Sequence, residues 1–223
     1  MAKENRILFV EGGDDEHTIY ALCEHFQVEE TFVVEVPDSK GKINKSARAN
    51  EKGGIDNVLK AMQGYLFAGN VERLGIVIDA DQNLNNQWER VANILKKAGY
   101  SEIDPQPNPN GTILKQAEKI TFGVWIMPDN RTERAYLETF LKFLVPEGNE
   151  TWKQAKKCVA DLKEKPFVKM NADHTDKAEI HTFLAWQQEP GKPFGTAITA
   201  KYLQTDNPQC QSFVDWLNRL FVN

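Results

Sequence analysis

The chain has 223 residues, of which 41% are hydrophobic and 26% are charged, and its formal net charge is −5. This length fits one large domain, or one domain with an appendage, and no apolar run reaches the roughly 18 residues of a membrane span. The first residues show no secretory signal, and three distant cysteines (Cys23, Cys158 and Cys210) exclude a disulfide framework and a zinc cluster. We therefore expect a cytoplasmic protein in which any contact with nucleic acid is a local patch.

The first two thirds of the sequence alternate short apolar runs with amphipathic segments. Buried strands are predicted where β-branched and apolar residues form uninterrupted runs, at residues 7–10, 31–36, 74–79 and 120–128. Helices are predicted between them, over about residues 14–26, 55–67, 86–98 and 132–145. The segment 37–54 has little to bury and is predicted to be a long mobile loop.

The last third has a different pattern. Its three clearest segments, residues 150–165, 175–188 and 208–223, are helical in pattern, and no comparable strand follows residue 128. Alternating strands and helices are typical of an α/β fold, so we expect a Rossmann-like, mainly parallel sheet flanked by helices. Residues 1–148 would form this core, and residues 149–223 would form a helical C-terminal extension packed on it.

Acidic residues follow three of the predicted strands. Glu11 follows the first strand, Asp79 and Asp81 follow the strand at 74–79, and Asp129 follows the strand at 120–128. Parallel strands end at one edge of the sheet, and alternate residues of an extended chain point the same way, so Glu11, Asp79 and Asp81 are expected to converge. Converging carboxylates repel unless a cation lies between them, and Mg²⁺ prefers such oxygen ligands.

These motifs resemble those of the Toprim domain, which topoisomerases, bacterial primases, recombination-repair proteins and overcoming-lysogenization-defect (OLD) nucleases share. VEGGDD supplies Glu11 and a second acidic residue, Asp15, and IDAD supplies the pair Asp79 and Asp81. In the nuclease-like branch, PDNRTERAYLETFL resembles a segment with a metal-binding glutamate, here Glu138. The resemblance, which is closest to a stand-alone, uncharacterised bacterial branch, covers residues 6–190 except 37–54 and 100–118.

A later segment, TDKAEIHTFLAW, resembles an element in which a lysine opens a helix, here Lys177. The resemblance implies that Glu11 acts as a general base or acid and that Asp79 and Asp81, with Glu138, bind Mg²⁺ or Mn²⁺. It also implies that Lys177 stabilises negative charge on phosphate. OLD nucleases carry an ATPase domain that is not seen here, so the resemblance implies either a separately encoded ATPase as a partner or a loss of the usual regulation, in a mobile-element or phage-defence setting.

Each of these residues also has a structural interpretation. Asp79 and Asp81 are compatible with turn caps, and Asp15 with a helix-dipole acid. Asp129 is compatible with a helix start signal, and both Glu138 and Lys177 with solvated helix positions. His181 lies one helical turn after Lys177 and would share its face, which makes it an additional candidate.

The segment 37–54 is rich in basic residues. Lys40, Lys42, Lys45 and Arg48 predict a nucleic-acid-binding loop beside the metal site, with a plain solvated loop as the alternative. These features together predict a Mg²⁺-dependent endonuclease that acts on nucleic acid, with DNA as the favoured substrate. A non-catalytic metal- or nucleic-acid-binding regulatory module is the alternative, and a phosphatase-like or nucleotide-handling enzyme is a third interpretation.

Overall fold

The computed structural model describes residues 5–43 and 53–223, which form a sheet with helices on both faces. The strands are β1 (Arg6–Phe9), β2 (Val33–Glu35), β3 (Arg73–Asp79), β4 (Thr112–Leu114) and β5 (Thr121–Met127). Their order across the sheet is β2-β1-β3-β5-β4, and only β4 runs antiparallel to its neighbour. The predicted fold class, a mainly parallel α/β sheet with a helical C-terminal region, is confirmed.

Eight α-helices accompany the strands in the described part of the chain. They are α1 (Gly13–His25), α2 (Ile55–Ala68), α3 (Leu84–Lys97), α4 (Leu137–Phe143), α5 (Glu150–Leu162), α6 (Thr175–Ala185), α7 (Phe194–Thr199) and α8 (Pro208–Leu217). A 3₁₀ turn (Ala172–His174) precedes α6, and a π-helical turn (Asn218–Val222) follows α8.

Each face of the sheet packs against its own set of helices. Successive strand residues point to opposite faces, so Leu8 and Val77 join one apolar cluster while Phe9 and Ile76 join the other. The first cluster contains residues of α1 and of α4 to α8, and the second contains residues of α2 and α3. The C-terminal helices therefore share an apolar cluster with the central strands. The division predicted at residue 148 stays a prediction.

A pair of glycines lets the end of the chain pack closely on the sheet. Gly75 and Gly123 are paired across β3 and β5. A Cβ atom on Gly123 would lie 2.5 Å from Cδ2 of Leu220. Two arginines of the sheet bind the backbone of the π-helical turn that carries Leu220. Arg73 Nη1 donates to the Leu220 oxygen and Arg6 Nη1 donates to the Phe221 oxygen, both at 2.6 Å.

Two local predictions are wrong. Strand β4 is not among the four predicted strands, because three residues at a sheet edge give no detectable apolar periodicity. Helix α4 begins at Leu137 and not near residue 132, because the preceding backbone pairs with the loop after β3 instead. The Asp81 N–H donates to the Ala135 oxygen at 3.0 Å, and the Leu84 N–H donates to the Glu133 oxygen at 2.9 Å.

The strand order places a crevice between β1 and β3. The chain leaves β1 toward β2 on one side and later reaches β3 on the other, so the connections diverge at this point. In open α/β sheets, ligands bind outside the carboxyl ends of the strands at such a switch point. Glu11 follows β1 and Asp79 ends β3, so both acidic residues lie at this position.

No helix in the described ranges combines the length and the apolar character needed to cross a membrane. The cytoplasmic location stays a prediction.

Candidate metal centre

Glu11 lies where β1, β3 and α2 meet. Its Oε1 accepts a 2.8 Å hydrogen bond from the Asp79 N–H, and the N–H of Ile55, the first residue of α2, also hydrogen-bonds to its carboxylate. Its backbone oxygen accepts from the Gly54 N–H at 2.9 Å. The partial positive charge of the α2 N-terminus favours a carboxylate here. The sheet and α2 therefore hold the Glu11 side chain in one orientation.

Three more carboxylates surround Glu11 closely enough to affect one another electrostatically. They are Asp15 in the first turn of α1, Asp79 at the end of β3 and Glu138 in the first turn of α4. Asp15 Oδ2 accepts from the Gly12 N–H at 2.9 Å. Asp79 Oδ1 is buried and has no hydrogen-bond partner among the described residues. A buried acceptor without a partner is costly, and its usual explanation is a missing ligand, ion or water.

The acidity of these groups reflects their burial and their proximity. Burial raises the pKa of Glu11 to about 7, although the Asp79 amide opposes the shift. Burial, followed by the charge of Glu11, raises the pKa of Asp15 to about 8. Burial also raises the pKa of Asp79 well above its usual range, and the charges of Glu11, Asp15 and Glu138 add to the effect. The cluster therefore holds protons near neutral pH unless a positive charge replaces them.

Lys177 of α6 is the one lysine or arginine that lines the acidic cleft among the described residues. Lys177 Nζ donates a 2.8 Å hydrogen bond to Glu138 Oε1, and this contact raises the pKa of Lys177, with contributions from Asp14 and Asp79. The Lys177 side chain is 54% exposed, while that of Glu138 is 10% exposed. Lysine has three N–H donors, so the ion pair leaves two donors for a ligand.

These groups line a cleft of about 440 Å³. Its walls comprise residues 11–15, Gly53 and Gly54, Asp79, residues 136–138, and the group Asp173, His174 and Lys177. The structure thus brings together five of the residues predicted from sequence, namely Glu11, Asp15, Asp79, Glu138 and Lys177.

Asp81 does not follow the predicted geometry. The expectation of an extended chain through Asp81 is wrong, because β3 ends at Asp79 and Asp81 has a φ of 52°. Its Oδ2 accepts a 3.0 Å hydrogen bond from Gln87, and it does not line the cleft. Burial raises its pKa, while Arg90 opposes the rise. Asp81 still repels Glu11 electrostatically, so it lies near the cluster but is directed toward α3.

Asp129 and His181 also lie outside the cleft. Asp129 Oδ1 accepts hydrogen bonds from the N–H groups of Arg131 at 3.0 Å and Thr132 at 2.9 Å, so its carboxylate caps a turn. His181 is exposed on α6, and its ring lies 5.2 Å from that of Phe194. Neither residue lines the cleft, so their roles as additional site residues stay predictions.

The described part of the basic segment forms a tight turn. Asp38 Oδ1 accepts from the N–H groups of Lys40 at 2.9 Å and Lys42 at 2.8 Å, and both lysines are exposed. The other two predicted nucleic-acid contacts, Lys45 and Arg48, lie outside the described residues. The role of the segment in binding nucleic acid stays a prediction.

Some cleft residues have no signature in the sequence. Tyr136 and Asp173 both interact with Gln82, whose Nε2 donates to the Tyr136 hydroxyl at 2.8 Å and to Asp173 Oδ2 at 3.3 Å. Arg134 forms an ion pair with Asp173, and His174 ends the 3₁₀ turn that carries Asp173. The only local signal in the sequence is the polar run NADHTD, residues 171–176, which spans the start of α6 and is typical of a helix N-terminus.

The donors at the cleft suit a hard divalent cation, since they are carboxylate oxygens and one of them, Asp79 Oδ1, has no partner in the described ranges. Within those ranges, however, no three His, Cys, Asp or Glu side chains already converge as a closed metal site requires. Magnesium is commonly held by one or two carboxylates together with water and substrate phosphate. The residues therefore fit an open magnesium site and do not fit an all-protein cage.

Comparison with known proteins yields one family. A family model described as "Protein of unknown function (DUF3226)" matches residues 5–222, which is nearly the whole chain. Neither the curated proteins nor the solved structures gave a match.

Proposed function

This chain belongs to the DUF3226 family, and we propose that it is a Mg²⁺-dependent phosphoryl-transfer enzyme that hydrolyses phosphodiester bonds in nucleic acid as an endonuclease. The observation that carries the proposal is the buried carboxylate cluster at the β1/β3 switch point, where Asp79 Oδ1 has no partner among the described residues. The resemblance to Toprim domains, at Glu11 and Asp79 in particular, supports the same chemistry.

The electrostatics of the cluster favour a divalent cation as its natural partner. Without a cation, Glu11 and Asp15 have pKa values of about 7 and about 8 because their burial disfavours charge, with repulsion by Asp81 at Glu11 and by Glu11 at Asp15 adding to the effect. A nearby positive charge favours the ionised form of each carboxyl group. Binding of a cation therefore converts a repulsive arrangement into an attractive one, at a position where substrates bind in this class of fold.

Glu11 and Asp79 would hold the metal, with Glu138 as a further ligand, and Mn²⁺ would substitute for Mg²⁺. A bound divalent cation supplies charge neutralisation at phosphoryl oxygens. Asp81 is also a proposed ligand, although its carboxylate now accepts a hydrogen bond from Gln87.

The side chains of the cleft supply the remaining chemistry. The Glu11 carboxylate is fixed by the amides of Asp79 and Ile55 and would accept a proton from the attacking water. Lys177 Nζ would donate its two free N–H groups to a non-bridging phosphate oxygen while its bond to Glu138 holds it in place. Both residues face the same cleft, so one bound phosphate would contact them together.

A second candidate is a regulatory module that binds metal or nucleic acid without turnover. The ion pair between Lys177 and Glu138 favours this alternative, since each residue already satisfies the charge of the other. A separately encoded ATPase as a partner is proposed on the resemblance to OLD nucleases alone.

The test is a cleavage assay on plasmid and single-stranded DNA with Mg²⁺, Mn²⁺ or EDTA. We expect metal-dependent cleavage by the parent protein, its loss in Asp79→Asn, and its retention in Asp206→Asn, which changes an exposed carboxylate elsewhere. Metal-dependent binding of DNA without cleavage would favour the regulatory module. Cleavage that Asp79→Asn leaves unchanged would refute the assignment of the site.

A further inference from the structure

The turn between α5 and α6 presents an aromatic side chain to solvent among lysines. In residues 163–169, which we call the basic turn, Phe167 is 71% exposed. The same seven residues contain three lysines (Lys163, Lys165 and Lys169) and one acidic residue, Glu164, in a chain whose net charge is −5. An exposed aromatic ring between cationic side chains is the combination found where proteins bind single-stranded nucleic acid.

The position of Phe167 is fixed by the backbone. Pro166 precedes it, and the Val168 N–H donates to the Lys165 oxygen at 2.9 Å, which closes a β-turn with proline at its second position. The Lys165 N–H donates in turn to the oxygen of Leu162, the last residue of α5. A hydrogen-bonded turn that directs a large apolar ring into water forgoes the free energy of burying it. The fold itself therefore gives no reason for this arrangement.

The lysines of the basic turn differ from two of the three lysines in the preceding helix. In α5, Lys153 pairs with Glu150 and Lys157 with Asp161. Lys163, Lys165 and Lys169 are exposed and form no ion pair with any residue in the described ranges. Their positive charge is consequently available to an anionic ligand.

The basic turn leads directly to the candidate metal centre. Three residues separate Lys169 from Asp173 in the cleft wall, and the chain spans these four residue steps in at most about 14 Å. Asn171 fixes this approach, because its Oδ1 accepts from the Asp173 N–H at 3.2 Å and its backbone oxygen accepts from the His174 N–H at 2.9 Å. A polyanion held at Lys169 would thus lie close to the wall of the cleft.

We propose that the basic turn binds the single-stranded segment of a nucleic-acid substrate, with a base stacked on Phe167 and the sugar-phosphate backbone along Lys165 and Lys169. This inference rests on the proposed function and names its substrate class. The cleft of about 440 Å³ lies in the lower half of the range of small-molecule sites and suits a segment of nucleotide size, which favours a single strand over a duplex.

The test measures fluorescence anisotropy of a labelled 20-nucleotide oligo-dT in EDTA, which prevents metal-dependent cleavage. Phe167→Ala is expected to weaken binding by about 5- to 150-fold, the range for loss of one stacked base. The matched control is Phe67→Ala, which removes another exposed aromatic ring, 56% accessible, on α2 at the opposite face of the sheet. A labelled abasic strand of equal length would bind the parent and Phe167→Ala alike, because it has no base to stack.

Salt dependence tests the lysines separately. Lys165→Ala is expected to reduce the slope of log K against log salt by about 0.7, the value for one phosphate contact on a single strand. Lys96→Ala, an exposed lysine near the end of α3, is expected to leave the slope unchanged.

Equal affinity of Phe167→Ala and the parent for oligo-dT would overturn the inference. Tighter binding of a 20-base-pair duplex than of oligo-dT, or no binding of oligo-dT by the parent, would also overturn it. Cleavage assays keep the two proposals apart. If Asp79→Asn abolishes metal-dependent cleavage while Phe167→Ala binds oligo-dT as the parent does, the nuclease proposal would be supported and the binding site on the basic turn would be refuted. If oligo-dT binds as expected but no cleavage occurs with any metal, the proposed binding site on the basic turn would be supported and the proposed nuclease activity would be refuted.

Discussion

The N–H of Asp79 donates a 2.8 Å hydrogen bond to Oε1 of Glu11 and so joins the end of β3 to the residue that follows β1. This bond orients the Glu11 carboxylate and brings it beside the Asp79 carboxylate, whose Oδ1 is buried without a partner in the described part of the chain. One backbone amide thus draws together two acidic residues that are 68 positions apart. The predictions below depend on this arrangement.

The first prediction concerns stability against pH in the absence of metal. Glu11 and Asp15 have folded-state pKa values of about 7 and about 8, above the usual values near 4 of the unfolded chain. Between pH 4 and 8 the unfolded state therefore binds fewer protons than the folded state, so the free energy of unfolding falls as pH rises. Urea denaturation in EDTA at pH 5, 6, 7 and 8 is expected to show a decline of about 6 kcal/mol when the two groups titrate independently, at about 1.4 kcal/mol per pH unit for each.

Asp15→Asn should make the free energy of unfolding depend less on pH, because the new side chain does not ionise. Its amide oxygen can still accept the hydrogen bond from the Gly12 N–H. Asp206→Asn, an exposed control, should leave the dependence unchanged. Mg²⁺ at pH 8 should restore stability to the parent. A stability that rises between pH 5 and 8 in EDTA would show that the cluster is charged without a cation.

The second prediction separates a chemical role of Lys177 from a structural one. Lys177→Met removes the ion pair with Glu138 and the only lysine or arginine side chain that lines the described cleft. Because the lysine is 54% exposed, the loss of stability should be small, about 0–1 kcal/mol. The cleavage rate should fall by at least about 100-fold, the size of effect seen when one donor to a developing negative charge is removed.

Lys192→Met is the matched control, because Lys192 forms an ion pair with the exposed side chain of Glu189 and neither residue lines the cleft. Its cleavage rate should match that of the parent. If Lys177→Met lowered stability and left the cleavage rate intact, the ion pair with Glu138 would be purely structural.

The third prediction concerns the unequal roles of the two aspartates after β3. Asp79→Asn should abolish Mn²⁺ binding, whereas Asp81→Asn should weaken it less than about tenfold, or 1.4 kcal/mol. Asn tolerates the left-handed backbone of residue 81 and can still accept from Gln87, so the fold should be preserved. Titration of each variant with Mn²⁺ measures the difference. Equal loss in both variants would indicate that Asp81 turns toward the metal on binding.

The sequence predicted the features that depend on long or uniform patterns. The apolar runs around Leu8, Val77 and Val124 predicted β1, β3 and β5, because a strand buried on both faces needs no alternation. Since these strands are parallel, the acidic residues after them were expected at one edge, and Glu11 and Asp79 do meet there. The site was therefore predictable where it depends on the ends of strands.

What the sequence did not predict depends on contacts between distant segments. The left-handed conformation of Asp81 accompanies its pairing with Ala135, and neither residue signals the other in sequence. The same pairing delays the start of α4 to Leu137. Asp173 and His174 reach the cleft only because α6 packs against α4, which no local pattern indicates. Helix α7, with six residues, is too short for a periodic signal.

The most direct test of the metal centre is calorimetric titration of the parent protein with Mn²⁺ at pH 7, repeated in two buffers that differ in ionisation enthalpy. We predict binding accompanied by release of protons to the buffer, because Asp15 and part of Glu11, with pKa values of about 8 and about 7, carry protons at pH 7 before the cation enters. The raised pKa of Asp79 acts in the same direction. Binding should disappear in Asp79→Asn and persist in Asp206→Asn. Absence of Mn²⁺ binding in the parent, or binding that Asp79→Asn leaves unchanged, would contradict the metal centre at Glu11 and Asp79.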